Sequence, residues 1–209
     1  MANKQHIDIL RSFISEFGIL SNEEIQLILD NTVVASYKKG DYLLREGEVS
    51  TKCYFVLKGC IRQYYLIDGE EKTTNFFTEQ DPVNSFTSNV NKTPSRSNLI
   101  CAEDCVVTVG TDDLQKEMCK QIPRLESIIL NEVEKNTGKL QDDYAKFITS
   151  SPEKRYKNLL DQKPHLINRV PHHQIASYLG MTPESLSRIK KRIFTKKSFN
   201  LTKLKQRLN

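Results

Sequence analysis

The chain has 209 residues, enough for one large domain or two ordinary ones with a real core. Its net charge of +5 is unevenly spread: residues 148–209 hold 14 Lys/Arg against 3 Asp/Glu, a net +11 that leaves −6 for residues 1–147. No stretch approaches the roughly 18 consecutive apolar residues of a membrane span, and the opening MANKQHIDILRSF lacks the apolar core of a signal peptide, so a cytoplasmic protein with no membrane partner is expected. A basic C-terminal third on a mildly acidic remainder suggests a nucleic-acid module joined to something else.

Residues 5–30 read as two short helices. Ile7, Leu10, Phe13, Ile14 and Phe17 share a helical face, Gly18 ends it, and Ser21-Asn22-Glu23-Glu24 starts the next, whose stripe is Ile25, Ile28 and Leu29. They are expected to cover a sheet. From Thr32 to about Val109 the period changes to two. Short β-rich runs (Val33–Tyr37, Tyr42–Leu44, Cys53–Leu57, Cys60–Leu66, Thr73–Phe77, Leu99–Cys101, Val106–Val109) alternate with turns at Lys39-Gly40-Asp41, Glu46-Gly47-Glu48, Lys58-Gly59 and Asp68-Gly69. That spacing predicts a β-sandwich or jelly-roll-like barrel.

Asp112 to Thr149 reads as helical, interrupted at Pro123. Beyond it Leu125, Ile128, Ile129, Val133, Leu140, Tyr144, Phe147 and Ile148 form an apolar seam, with Asn136-Thr137-Gly138 in its middle. The seam packs either on its own sheet or on a second copy, and the paired arrangement is preferred because two-fold symmetry is the usual oligomer. Ser150-Ser151-Pro152 reads as a hinge, with Ser151-Pro152-Glu153-Lys154 a cap-plus-proline helix start.

The stretch Pro171 to Phe194 (PHHQIASYLGMTPESLSRIKKRIF) holds two short helical patterns around a tight turn. Ile175, Ala176 and Leu179 form the first stripe, and Gly180 suits a left-handed helix end. Thr182 suits an N-cap, Pro183 the first helical position, and Glu184 the positive end of the dipole. The second pattern buries Leu186, Ile189 and Ile193 and presents Ser185, Ser187, Arg188, Lys190, Lys191 and Arg192. Such a pair describes a helix-turn-helix whose second helix enters the DNA major groove. The tail 195–209 is strongly basic, either partly disordered or a further phosphate-contacting helix.

The run Ile175-Ala176-x-x-Leu179-Gly180-Met181-Thr182-x-Glu184-x-Leu186-Ser187-Arg188 resembles the DNA-binding end of the Crp/Fnr family of bacterial transcription regulators. The pattern Gly40-Asp-x-Leu-x-x-Glu-Gly47, Tyr54-x-Val-x-x-Gly59-x-Ile-Arg62, then Asp68-Gly69, is similar to the β-roll of cyclic-nucleotide-binding domains. Together they imply an α+β protein: a jelly-roll (double-stranded β-helix) sensor over 1–111, a long dimerisation helix over 112–149, and a winged helix-turn-helix over 150–209. The implied partners are double-stranded DNA, a second copy of the chain and RNA polymerase. The resemblance further implies that Glu184 and Arg188 read base edges. Arginine's fork suits guanine O6 and N7, and a carboxylate suits the cytosine amino group. Pro183 stands where relatives carry a polar reader, and its ring suits a thymine methyl. Thr182, Ser185, Lys191 and Arg192 are expected along the phosphates, as are His172, His173 and Gln174 at the start of the preceding helix, and Ser187 is expected on the same DNA-binding face.

The effector cassette departs from the family. Where cyclic-nucleotide binders carry Gly-Glu and then Arg-Ser/Thr-Ala, this chain has Asn84-Ser85 and then Arg96-Ser97-Asn98. Losing the carboxylate removes a charge-assisted bond of roughly 1.5–3 kcal/mol, or about one to two decades of affinity. The effector is therefore left unknown and ordinary cyclic AMP is disfavoured. Five scattered cysteines (Cys53, Cys60, Cys101, Cys105, Cys119) are expected as inert thiols. With none before Cys53 there is no N-terminal cysteine set for an iron–sulfur cluster. The adjacent histidines lack companions at metal-ligand spacing, so no metal is expected. No phosphate loop, nucleophile elbow or HExxH appears, so no enzyme is expected either. The alternative reading is a sensory module acting through protein–protein contact, with the basic third as docking surface.

Overall fold

The structure, a computed structural model, describes residues 4–193 and Thr195; Phe194 and the basic tail 196–209 lie outside the described residues. Eight strands follow one another as β1 (Val33–Tyr37), β2 (Tyr42–Leu44), β3 (Cys53–Lys58), β4 (Ile61–Ile67), β5 (Glu70–Phe77), β6 (Pro82–Val83), β7 (Asn98–Cys101) and β8 (Cys105–Gly110). They form two antiparallel sheets, ordered β1-β8-β3-β6 and β2-β7-β4-β5. The sandwich expected from the period-two runs is present, with most strand ends within a residue or two of their expected places.

Alternation explains the layers. Tyr54 and Val56 of β3 point between the sheets, where they meet Leu44, Ile61, Val83, Leu99, Cys101, Cys105 and Val107. Phe55 and Leu57 point the other way, onto helices α1 (Lys4–Ser15) and α2 (Asn22–Asp30). Leu10, Ile14, Ile25 and Leu29 complete that second layer, so the two helices cover the first sheet as their stripes required. A capping box starts α2: Ser21 Oγ accepts from Glu24 N–H, and the Glu24 carboxylate accepts from Ser21 N–H.

Two elements escaped the sequence reading. Strand β6 has two residues, too few to alternate, and exists because Val83 and Pro82 pair with Tyr54 and Phe55. Helix α3 (Phe86–Asn91) inverts the usual pattern: Phe86 and Val90 are exposed while Ser88 and Asn89 are buried. Its apolar positions therefore gave no inward stripe to read.

Helices α4 (Asp112–Gln121) and α5 (Leu125–Thr149) follow. Thr111 caps α4, its side chain accepting from Leu114 N–H. Helix α5 runs unbroken through Asn136-Thr137-Gly138. The later half of its seam is uncovered: Leu140, Tyr144 and Ile148 are 69%, 68% and 62% exposed, whereas Ile128 near its start is buried.

The chain forms two compact units that divide between Asp143 and Tyr144, inside α5. The reason lies in the side chains at each end of the helix. Before α5, Arg124 Nη1 donates to the Ile19 carbonyl at 2.7 Å and Nε pairs with Glu24 at 3.3 Å. At its far end Phe147 stacks on Arg155 of α6 (Pro152–Gln162).

In the C-terminal unit Ser151 caps α6, with Lys154 N–H donating to its Oγ and Pro152 in the first turn, as the residues required. A 3-10 turn (Pro164–Asn168), α7 (His172–Tyr178) and a helix over residues 183–193, here α8, follow. Tyr156, Leu159, Leu166, Ile175, Ala176, Leu179, Leu186, Ile189 and Ile193 are buried in it. The described residues of this unit contain no strand, and the stretch that would carry the expected wing falls outside them.

Candidate effector pocket and nucleic-acid interface

The turn between α7 and α8 is built from the residues the sequence singled out. Gly180 N–H donates to Ser177 O and Met181 N–H to Ala176 O, each at 3.0 Å, the paired bonds of a Schellman helix end. That geometry puts Gly180 at φ +63°, and a Cβ there would lie 2.8 Å from Arg155 Nη1 and 2.9 Å from Phe147 Cζ. Thr182 then caps α8: Ser185 N–H donates to Thr182 Oγ1 at 3.3 Å, and the Thr182 hydroxyl donates to Ser185 Oγ at 3.1 Å.

Burial sorts α8 into two faces. Leu186, Ile189 and Ile193 are buried. Thr182, Pro183, Glu184, Ser187, Arg188, Lys191 and Arg192 are exposed, and Ser185 is half-buried. Glu184, Ser187, Arg188 and Lys191 follow at i, i+3, i+4, i+7, so they share one outward stripe. The Glu184 carboxyl is held below its ordinary range by its own backbone N–H, by Thr182 and by the Arg188 charge. Arg192 is already engaged, its Nη2 2.7 Å from Glu153 Oε2, and Lys157 pairs with the same carboxylate at 2.9 Å. It stands at the flank of the stripe rather than its centre. At the start of α7, His173 is exposed while His172 and Gln174 are half-buried. Burial, with the charges of Lys190 and His173, pushes the His172 pKa down. Gln174 Oε1 is buried without a hydrogen-bond partner.

In the N-terminal unit the four expected effector residues do not converge as a charged cradle. Ser97 is buried and accepts from Gln63 Nε2 at 3.1 Å, whereas Arg96, the next residue along, is exposed. Ser95 is buried again, its hydroxyl donating to Ser97 O at 2.8 Å and lying 3.4 Å from Ser85 Oγ. Alternation toward and away from the interior aims Arg96 outward. Asn84 Oδ1 is buried without a partner.

Around them runs a web the sequence reading missed. Ser50 N–H donates to Ser88 Oγ at 2.9 Å, the Ser88 hydroxyl donates to Thr93 O at 2.6 Å, and Asn89 Nδ2 reaches Ser50 O at 3.5 Å. Ser95-x-Ser97 had a readable alternation, but Ser50 and Ser88 stand 38 residues apart with no signal linking them. The domain's buried arginine is Arg62. Its Nη2 lies 2.5 Å from Glu71 Oε2, Nη1 donates to Thr73 Oγ1 at 3.3 Å, and its guanidinium sits 4.3 Å over the Tyr64 ring. As the neighbour of Gln63 on one strand, it faces away from Ser97.

Residues 34–121 match the family model of the cyclic nucleotide-binding domain. No curated protein matches the chain. Among solved structures, the c-di-GMP-responsive global regulator CLP of Xanthomonas campestris superposes at TM-score 0.64 with 14% identity, covering 84% of this chain and 93% of that one. A cyclic nucleotide-binding domain from Methylobacillus flagellatus gives 0.60 with 14% identity, covering 70% and 85%. For the cAMP-bound regulatory domain of Toxoplasma gondii PKA the values are 0.48 and 16%, and this chain, 56% covered, spans 46% of its length. At these identities the likeness is one of fold. In this chain the groups around Ser97 are hydroxyls and amides bonded to one another, Arg62 pairs with Glu71, and Arg96 is exposed.

Proposed function

We propose that this chain is a sequence-specific DNA-binding transcription regulator of the Crp/Fnr type, acting as a homodimer, with a sensor domain whose effector is something other than ordinary cyclic AMP. The observation that carries the reading is the outward stripe Glu184, Ser187, Arg188 and Lys191 on a helix capped by Thr182 and preceded by a glycine-tight turn. In this reading α7 and α8 are a helix-turn-helix. Arg188 makes the bidentate contact to guanine, Glu184 accepts from cytosine, and Lys191 with Thr182 sets register on phosphate. The overall likeness to CLP, a global regulator, supports the same assignment.

The exposed seam of α5 supports pairing. Leu130, Val133, Thr137, Leu140, Tyr144 and Phe147 recur at alternate three- and four-residue steps, the period that keeps one face turned to a partner helix. A two-fold pair would place the recognition helices on half-sites about 34 Å apart. An effector acts on such a dimer only by favouring one disposition of the reading units over another. RNA polymerase is the downstream partner in this scheme, and the protein carries out no catalysis of its own.

Selection of bound fragments from random duplexes, at rising salt and with or without cyclic AMP, tests the proposal. A palindromic preference that survives salt supports it. Binding that vanishes with salt and shows no preferred sequence supports instead a sensory module working through protein contacts.

A further inference from the structure

Arg155 stands on the first turns of α6, away from the outward stripe of α8, yet it gathers three separate pieces of the C-terminal unit. Its Nη1 donates to the Leu179 carbonyl at 2.6 Å, its Nε donates to the Ser150 carbonyl at 3.2 Å, and its guanidinium lies 4.4 Å over the Phe147 ring. Leu179 is the last residue before the tight turn into α8, and Phe147 belongs to the last turns of α5. Gly180 has no side chain, and one there would strike Nη1 and the same ring. The space for the clamp is therefore made by the turn's own glycine.

The side chain is matched to this task. A guanidinium offers five donors in a rigid plane, so two can meet carbonyls on different segments while the flat face rests on an aromatic ring. A lysine carries comparable charge but can satisfy one carbonyl well and stacks less extensively. Ser150 is buried at 6% exposure with its carbonyl engaged, so Ser150–Pro152 is not a free joint.

We propose that Arg155 is a positioning residue for DNA reading: it fixes the turn before α8 to the end of α5, so that residues from Tyr144 onward orient the recognition helix as one body. The proposal rests on the DNA-binding reading above. It also moves the pivot for any effector-driven change upstream, toward Asn136-Thr137-Gly138, where α5 carries residues of weak helix propensity.

The test uses the full chain as wild type, Arg155→Lys and Arg155→Ala. Two quantities are read: affinity for a selected operator against random duplex, and amide hydrogen exchange along the chain. Both variants are expected to lose about 10- to 100-fold in operator affinity, the worth of one or two base contacts. Random-duplex affinity should stay within about twofold, since phosphate contacts tolerate misalignment. Exchange at residues 147–151 and 180–182 should accelerate in both, and in the wild type residues 134–140 should exchange faster than 149–152. An Arg155→Lys variant with the wild-type affinity ratio and exchange overturns the proposal, as does a parallel fall in both affinities. A wild type without any preferred duplex overturns the DNA reading itself, and the exchange data then still decide whether Arg155 holds the turn.

Discussion

Replacing Gly180 by alanine isolates the physical demand at the centre of the C-terminal unit. The residue sits at φ +63°, a conformation that costs an L side chain about 1–2 kcal/mol. The new methyl would also lie 2.8 Å from Arg155 Nη1 and 2.9 Å from Phe147 Cζ, well inside the ~3.5–4.0 Å of ordinary carbon contact. Something must move, and the guanidinium is the more mobile of the two. Its departure forfeits the 2.6 Å bond to Leu179 O, and bonds to charged groups contribute about 1.5–3 kcal/mol. Because Arg155 is only half-buried, the lower part of that range applies, giving a total of about 3 kcal/mol. Gly47→Ala is the comparison: its φ is +87° with nothing within 4 Å of the added carbon, so the backbone cost stands alone. Urea denaturation followed by circular dichroism measures both. In an Arg155→Ala background the Gly180→Ala cost should shrink by about 1–2 kcal/mol, because the clash and the lost bond share one partner. Strict additivity, or a Gly180→Ala cost no greater than that of Gly47→Ala, would refute the steric argument.

Leu140→Asp should convert a dimer to monomer in sedimentation, since it places charge at the most exposed apolar position of the α5 seam. Arg188→Ala should weaken operator binding by about 5- to 150-fold, from the roughly 1–3 kcal/mol of a bidentate base contact, and relax selectivity at one base pair. Cyclic AMP at 1 mM should leave the melting temperature within about a degree. A Kd of about 10 µM would instead add about 2.7 kcal/mol, which is many degrees for a unit of this size. His172, whose folded pKa is depressed, is neutral in the folded chain where the unfolded chain takes up a proton. Stability should therefore fall as pH drops through about 6.5, and His172→Gln should flatten that slope in denaturation series at several pH values.

What the sequence disclosed follows from how locally each feature is determined. Helices α1 and α2 were legible because their apolar stripes are complete within one element. The turn at Gly180-Met181-Thr182 was legible for the same reason: a left-handed position, a cap and a proline within four residues leave few alternatives. The web around Ser97 was not, because its members Ser50, Gln63, Ser88 and Ser95 come from four segments and each serine alone looks like a loop residue. Arg96-Ser97 matches the arginine-serine part of the family's cassette, but adjacent residues in extended chain face opposite ways, and here Ser97 is buried while Arg96 is exposed. Arg155 carried no signal at all, since an arginine on an amphipathic helix reads as solvated until Leu179 and Phe147 are seen beside it. Both gaps have one origin: polar side chains that act across long sequence separations lack any period to betray them. Hydrophobic faces announce themselves, while the polar groups that hold a turn or fill the interior of a sheet become visible only when the chain has closed.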